Sequence, residues 1–146
     1  MSNIVVNPNA SGTGTITVSS PNTNSNYTIT LPAATTDLAG LAVAETFSAS
    51  QRGTVTTDND LSFDMNVTNN FKCTPTAGGA LTFTNITAGQ SGFVLLINNS
   101  NYAITAAATT KVAAGSLSTI SATGTYLLSY FSDGTNVYVT NSAALA

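Results

Sequence analysis

The residue pair Asp133-Gly134 constrains the fold of this chain more than any other feature. It lies inside the segment 130–139, YFSDGTNVYV, in which apolar and polar residues alternate on both sides of the pair. Asp-Gly tolerates the positive φ angles of a two-residue hairpin turn, and the alternation is typical of paired strands. The segment therefore predicts a C-terminal β-hairpin. Its flanking apolar residues are expected in the core or in a subunit interface: Tyr130, Val137 and Val139.

Composition favours an all-β protein. The 146 residues include 26 Thr, 16 Ser and 16 Asn, about two residues in five, whereas only 6% are charged. Thr is common in strands, Asn and Ser are common in turns, and long helices usually contain more Glu, Lys and Arg. Because a soluble monomer normally has a more charged surface, we expect much of this surface to be neutral or covered by neighbouring subunits.

The chain reads as three segments. Residues 1–40 form an extended N-terminal arm with short strand signals at 15–18 and 27–31, and residues 41–52 are a short helix or a linker. Residues 53–146 contain seven or eight short strand signals separated by Gly/Asn turns, which predicts an antiparallel β-sandwich or a jelly-roll-like domain.

Apolar positions indicate the core of that domain. Leu61, Phe63, Met65 and Val67 alternate with polar residues, and the continuous apolar run 93–97 predicts a fully buried strand.

Charge argues against a nucleic-acid or membrane protein. The net charge is −3 and the cations are Arg52, Lys72 and Lys111, so no basic patch is available to neutralise phosphates. The apolar run 93–97 is far too short to span a bilayer, and the first eight residues do not resemble a signal peptide. The lone Cys73 cannot form an intrachain disulfide and is expected to be a buried, inert thiol.

Catalytic patterns are weak throughout. The sequence has no histidine, which removes catalytic triads and imidazole metal sites. Polysaccharide cleavage needs two carboxyl groups in different environments, but there are only six acidic residues and the turn already explains Asp133. We therefore expect no enzymatic activity and no cofactor.

Asp58, Asp60 and Asp64 are weak candidates for a cation site. With Ser62 they have the spacing of the first ligands of a calcium loop, but the positions that would need Gly and Glu hold Phe63 and Asn69. On an extended strand, residues two apart lie about 6.6 Å from each other. The acids are therefore expected to line a solvated strand face, with a cation site as the less favoured alternative.

Four tyrosines are candidates for contact with a partner or a glycan, since a phenol ring can stack on a sugar or anchor a protein interface. The alternative is that they are half-buried strand residues. They are Tyr102, Tyr126, Tyr130 and Tyr138.

The chain resembles tailed-bacteriophage virion proteins in several short stretches. Residues 28–35 (TITLPAAT) and 38–48 (LAGLAVAETFS) are similar to joints of phage fibre and virion proteins, and 81–86 (LTFTNI), 89–92 (GQSG) and 130–139 look like their C-terminal β-domain. The resemblance implies a symmetric, trimeric virion component. It carries over no catalytic or ligand residue. Because the first eight residues do not resemble a signal peptide, we expect the protein to be made in the host cytoplasm.

Within that class the absence of a shaft favours one role. The sequence shows no coiled-coil heptads, collagen-like triplets or β-repeats, which a tail fibre usually needs. An arm plus one compact domain predicts a capsid decoration (cement) protein, a homotrimer whose arm binds the major capsid protein at the capsid surface. The alternatives are a tail fibre or spike module that binds host-surface glycan and, less favoured, a bacterial adhesin.

Overall fold

The computed structural model describes residues 11–15, 17, 19, 22–26 and 50–146. The chain divides into two units between Glu45 and Thr46, and all strands and helices of the described residues lie in the second unit, Thr46–Ala146. The predicted strand at 27–31 lies outside the described residues, as do half of the strand predicted at 15–18 and most of the helix or linker predicted at 41–52.

The described residues form nine strands and one six-residue helix, which confirms the all-β prediction. The first six strands are β1 (Val55–Thr57), β2 (Ser62–Asp64), β3 (Asn70–Cys73), β4 (Gly79–Thr84), β5 (Ser91–Asn98) and β6 (Ile104–Ala106). They are followed by β7 (Thr110–Val112), α1 (Ser116–Ser121), β8 (Gly124–Ser132) and β9 (Val137–Asn141).

The first six strands coil as a β-solenoid of about three turns. Each turn places one strand in each of two sheets: β1, β3 and β5 pair in parallel in the first sheet, and β2, β4 and β6 pair in parallel in the second. Thr56, Phe71 and Val94 are therefore register partners in successive turns, as are Phe63 and Phe83.

The last strands close the first sheet. β8 runs antiparallel to β5, β9 runs antiparallel to β8, and β7 pairs in parallel with β9. The result is a six-stranded sheet of order β1-β3-β5-β8-β9-β7, which packs on the three-stranded sheet β2-β4-β6. Helix α1 packs against β5, β6 and β9.

The prediction of an antiparallel sandwich or jelly roll is wrong in strand direction, because five of the seven strand pairings are parallel. Alternation of apolar and polar residues shows which face of a strand is buried, but it does not distinguish parallel from antiparallel neighbours. The antiparallel expectation holds for the pairs β5–β8 and β8–β9, which include the predicted hairpin.

One core lies between the two sheets. Phe63 packs on Phe71 and Phe83 with ring centroids 5.0 and 5.5 Å apart, and Phe83 packs on Tyr130 at 4.9 Å. Leu61, Phe63 and Met65 are buried as predicted, whereas Val67 is exposed in the turn after β2. Val137, Val139 and Tyr130 of the hairpin are core residues. Tilted aromatic pairs of this kind each contribute about 0.5–1.5 kcal/mol beyond their buried area.

Candidate functional site

The two sheets present opposite chemistry to solvent. On the three-stranded sheet the outward side chains are small and mostly polar: Ser62, Asp64, Ala80, Thr82, Thr84 and Thr105. On the six-stranded sheet the outward side chains include large apolar groups, among them Val55, Phe93, Leu127, Phe131 and Tyr138. We call this second surface the outer face. The register places Phe131 beside Tyr138 and Leu127 beside Leu95, so large apolar groups cluster on this sheet, unlike the scattered single apolar residues of an ordinary surface.

One half of the outer face is an open groove of about 340 Å³. It is lined by Val55, Asn70, Phe71, Lys72, Phe93, Leu95 and Leu127. The sheet register explains the arrangement, because Leu95 lies opposite Leu127 on one side and Lys72 on the other. Phe93 is 50% exposed and Val55 is 62% exposed. A cleft with apolar walls that is open to water favours a partner with apolar side chains.

The other half of the outer face carries Phe131 of β8 and Tyr138 of β9, which are register partners and which we call the aromatic pair. Phe131 is 52% exposed and Tyr138 is 48% exposed. The Tyr138 hydroxyl donates a hydrogen bond of 2.9 Å to Asp133 Oδ2, so that ring is held in one position beside the hairpin turn. Half-exposed aromatic rings with a fixed polar end are typical anchors of protein interfaces.

The charged groups of the outer face are few and unevenly placed. Lys72 lines the groove, and the exposed Asp133 carboxylate lies beside the aromatic pair. Lys111 is the register partner of Tyr138, but its Nζ donates to the Ala108 carbonyl 2.6 Å away within the same chain. The groove therefore has a cation at its wall, whereas the aromatic pair has a carboxylate at its end.

Sequence reasoning missed most of this surface. The run 93–97 was predicted to be fully buried, but it alternates: Val94 and Leu96 are in the core, whereas Phe93 is exposed and Leu95 and Ile97 are half-buried. A continuous apolar run predicts burial on both faces of a strand. Here only one face is covered within the described residues. The run was thus the available sequence signal that the second face of this strand is apolar.

The predicted hairpin turn is present with a shifted centre. Gly134 has φ +94°, whereas Asp133 does not take a positive φ. Asp133 instead precedes the turn. Its amide donates to the Asn136 carbonyl at 3.2 Å, and its Oδ1 accepts from the amides of Thr135 and Asn136 at 2.8 and 2.7 Å. These amide bonds, with Asn136 the strongest and Thr135 and the Tyr138 hydroxyl after it, lower the pKa of Asp133.

The acids proposed as a cation site stabilise corners of the solenoid. Asp60 Oδ1 accepts from the Ser62 amide at 2.8 Å. Asp64 Oδ1 accepts from the Asn66 amide at 2.9 Å and from Asn85 Nδ2 at 2.7 Å, and these bonds, Asn85 foremost, lower its pKa. Partial burial, with Asp60 next to it, raises the pKa of Asp58.

These acids do not line one strand face as predicted. Leu61 has φ +68° between Asp60 and Ser62, so the chain turns a corner there instead of continuing as a strand. Within the described ranges, no group of three or more acidic, Cys or His side chains is close enough together to hold a metal ion.

The four tyrosine candidates separate by burial. Tyr126 and Tyr130 are in the core, with their hydroxyls bonded to the carbonyls of Ala122 and Asn69, so their rings face no external partner. Tyr102 is half-buried and Tyr138 is exposed on the outer face. Tyr138 is therefore the candidate that the structure leaves best placed for contact.

The lone thiol is buried. Cys73 lies in the core, where burial raises the pKa of its thiol to about 11. Such a thiol is a poor nucleophile at neutral pH.

No protein-family model matches this chain, and comparisons with the curated proteins and with the solved structures found no match. In the part of the chain that the structure describes, no helix is long and apolar enough to cross a membrane.

Proposed function

We propose that this chain is a non-enzymatic structural protein of a tailed-phage virion, namely a capsid decoration (cement) protein that forms a homotrimer and binds the major capsid protein through its N-terminal arm. The observation that carries the proposal is the outer face. A chain with 6% charged residues exposes Val55, Phe93, Leu127, Phe131 and Tyr138 together on one sheet. Surfaces of this kind in soluble proteins are usually protein interfaces.

The solenoid bears on the choice between decoration and a fibre. Stacked coils are a β-repeat, which the sequence analysis did not find. Because tail fibres often contain β-repeats, the solenoid gives some support to the alternative of a tail fibre or spike module. The coils are nevertheless few. With strands about 4.8 Å apart, three stacked coils have a height of only about 10–15 Å, which is a compact body and not a shaft. We therefore keep decoration as the proposed role.

The first experiment measures self-association of the full chain. Native mass spectrometry is expected to give a homotrimer, and the double variant Phe93→Ser/Phe131→Ser is expected to be a folded monomer because it removes one exposed aromatic ring from each half of the outer face. A double variant on the three-stranded sheet, Thr82→Ser/Thr84→Ser, leaves the outer face unchanged and should stay trimeric. A wild-type monomer would contradict the proposed assembly.

The second experiment separates decoration from a fibre. Quantitative mass spectrometry of virions containing this protein should give hundreds of copies for a decoration protein, and a few dozen or fewer for a tail fibre. Removal of residues 1–40 should abolish binding to undecorated shells while circular dichroism still shows the β-domain, because the second unit contains every described strand. Full decoration by the truncated protein would exclude the role of the arm.

The glycan-binding alternative has its own test. If the protein is a spike module, the isolated chain should give a specific signal on a glycan array, and Tyr138→Ala should reduce that signal because its ring is the most exposed of the four candidates. Signal that is lost in Tyr138→Ala, with the protein still folded, would favour the spike reading over decoration.

A further inference from the structure

The outer face has two unlike halves, and their chemistry is complementary. The groove is concave, apolar and flanked by the Lys72 ammonium, whereas the aromatic pair presents two half-exposed rings beside the Asp133 carboxylate. Strands β1, β3 and β5 carry most of the groove, and strands β8 and β9 carry the aromatic pair. The rings and the carboxylate of one half therefore match the apolar walls and the cation of the other half in chemistry and charge.

We propose that the aromatic pair of one copy docks in the groove of the next copy, with Asp133 of the first copy opposite Lys72 of the second. This inference rests on the proposed function, because it specifies the contact through which the chain assembles with itself. A contact between two different patches of one chain is heterologous, and it generates a closed ring when the rotation between copies closes. A cyclic trimer is the closed form that agrees with the proposed assembly.

A second copy fits this face better than a glycan does. A site for a small ligand such as a sugar needs a few precisely placed polar groups that fix the orientation of the ligand. The apolar side chains that the groove offers are mainly those of Val55, Phe93, Leu95 and Leu127, and the nearby hydroxyls of Ser129 and Thr140 are bonded to each other at 2.7 Å. The Asp133 and Tyr138 oxygens are likewise joined to each other. Several of the polar groups on this surface are therefore already paired within the chain, and the groove walls are mostly apolar, which suits an apolar partner better than a sugar.

Face-to-face pairing of two identical copies is the competing arrangement, and charge argues against it. In a two-fold contact centred on the groove, Lys72 approaches Lys72 of the other copy. The heterologous contact instead brings a cation to a carboxylate. Opposite charges at an interface favour the correct partner and orientation more than they raise affinity.

Site-specific cross-linking distinguishes these arrangements. Thr57, the register partner of Lys72, is exposed next to the groove, and Thr135 is exposed in the turn beside Asp133. A short bis-maleimide should convert the double variant Thr57→Cys/Thr135→Cys into covalent trimers on a denaturing gel. Each single variant should stay monomeric on that gel, and so should the wild type, since Cys73 is buried.

Each other outcome has a definite meaning. Covalent dimers from either single variant would overturn the heterologous contact while leaving self-association intact. A trimer by native mass spectrometry with no cross-link in the double variant would show that another surface forms the interface, which also overturns this inference. A wild-type monomer would remove the proposed assembly itself.

The charge pair has an independent test with a rescue. Lys72→Glu places a carboxylate opposite Asp133 and should weaken each contact up to about fivefold in dissociation constant, as for a partly exposed ion pair. Asp133→Asn keeps an oxygen that can accept the turn amides, so Lys72→Glu/Asp133→Asn should recover most of the lost association. Arg52→Glu is the control, because it makes the same kind of charge change at an exposed residue that belongs neither to the groove lining nor to the aromatic pair. Loss of association in Lys72→Glu that Asp133→Asn does not restore would overturn the pairing.

Discussion

Asn98 and Tyr102 are joined by two hydrogen bonds in which a side-chain amide acts like a strand neighbour. Asn98 Nδ2 donates to the Tyr102 carbonyl at 2.9 Å, and Asn98 Oδ1 accepts from the Tyr102 amide at 3.0 Å. The same Nδ2 lies 3.0 Å from the Ile120 carbonyl and 3.2 Å from the Ser121 carbonyl. Asn98 is fully buried, so this one side chain joins the end of β5, the following turn and the end of α1.

The Asn98 network predicts a large loss of stability on truncation. Asn98→Ala leaves the buried Ile120 carbonyl and the partly buried Tyr102 amide without their partner, and a buried unpaired group costs about 1–3 kcal/mol. We expect the free energy of unfolding to fall by about 3 kcal/mol in urea titrations at fixed protein concentration. The exposed neighbour Asn99→Ala should change it by less than about 0.5 kcal/mol. Equal effects of the two substitutions would contradict this role of the Asn98 amide.

Replacing Thr110 by Val is expected to increase the stability of the fold. The Thr110 hydroxyl is buried and has no hydrogen-bond partner among the described residues. Thr110→Val replaces that hydroxyl by a methyl group of similar size, which removes the cost of burying an unpaired polar group. The free energy of unfolding should rise by about 1 kcal/mol.

A matched Thr→Val change tests the Thr110 explanation. The exposed Thr140 shares a hydrogen bond with Ser129, so Thr140→Val should be neutral or slightly destabilising. The explanation fails if thermal denaturation shows that Thr110→Val lowers stability.

Sequence reasoning recovered the parts of the fold that local patterns determine. The Asp133-Gly134 hairpin and the inward positions Leu61, Phe63 and Met65 follow from turn chemistry and from period-two alternation, which depend on neighbouring residues only. The solenoid depends on contacts between distant residues. Val55 and its partner Asn70 are 15 residues apart, whereas Asn70 and Phe93 are 23 apart, so the turns share no fixed period that a repeat search could detect.

The groove could not be predicted from the sequence, for a related reason. The groove combines Val55, Lys72, Phe93 and Leu127 from four strands, and no short segment of sequence contains it. The cation-site candidates Asp58, Asp60 and Asp64 are close in sequence. Their carboxylates accept hydrogen bonds from backbone amides at the corners of the solenoid. A site made of residues that are close in sequence can be predicted from a pattern, whereas the groove is made of residues that only the fold brings together.

Gly134 is expected to be more sensitive to substitution than Gly115. Both have a positive φ, of +94° and +83°, so a Cβ atom is strained at either position. A Cβ atom at Gly134 would also lie 3.2 Å from the Cβ and the amide nitrogen of Ala88, whereas nothing lies within 4 Å of one at Gly115. Gly115→Ala should cost about 1 kcal/mol from the backbone alone. Gly134→Ala should cost more, and Gly134→Val should prevent folding and assembly.

Chemical denaturation of the two alanine variants isolates the Ala88 contact. The excess loss in Gly134→Ala over Gly115→Ala should shrink when Ala88 is also replaced by Gly, because that change removes the Cβ that the new methyl group meets. An unchanged excess would point to another cause. A folded, assembling Gly134→Val protein would contradict the assignment of this hairpin as scaffold.

Alkaline pH should destabilise the fold in two overlapping steps. Burial raises the pKa of the Cys73 thiol to about 11 from 9.0, and burial raises the pKa of the Tyr130 hydroxyl to about 12 from 10.0. Between its ordinary pKa and its raised pKa, each group loses its proton in the unfolded chain but keeps it in the folded one. Deprotonation therefore stabilises the unfolded state relative to the folded state. Stability from Cys73 is complete below pH 9 and is lost up to about pH 11, and that from Tyr130 is lost between about pH 10 and 12.

Urea titrations from pH 7 to 12 under reducing conditions measure this loss of stability. Two variants separate the contribution of Cys73 from that of Tyr130. Cys73→Ala should remove the decline that begins near pH 9, and Tyr130→Phe should remove the decline that begins near pH 10. Both variants should be less stable than wild type at pH 7, because one opens space in the core and the other loses the 2.9 Å bond to the Asn69 carbonyl. The diagnostic quantity is therefore the slope of stability with pH. If both variants keep the wild-type slope from pH 9 to 12, burial of these two groups does not cause the alkaline loss.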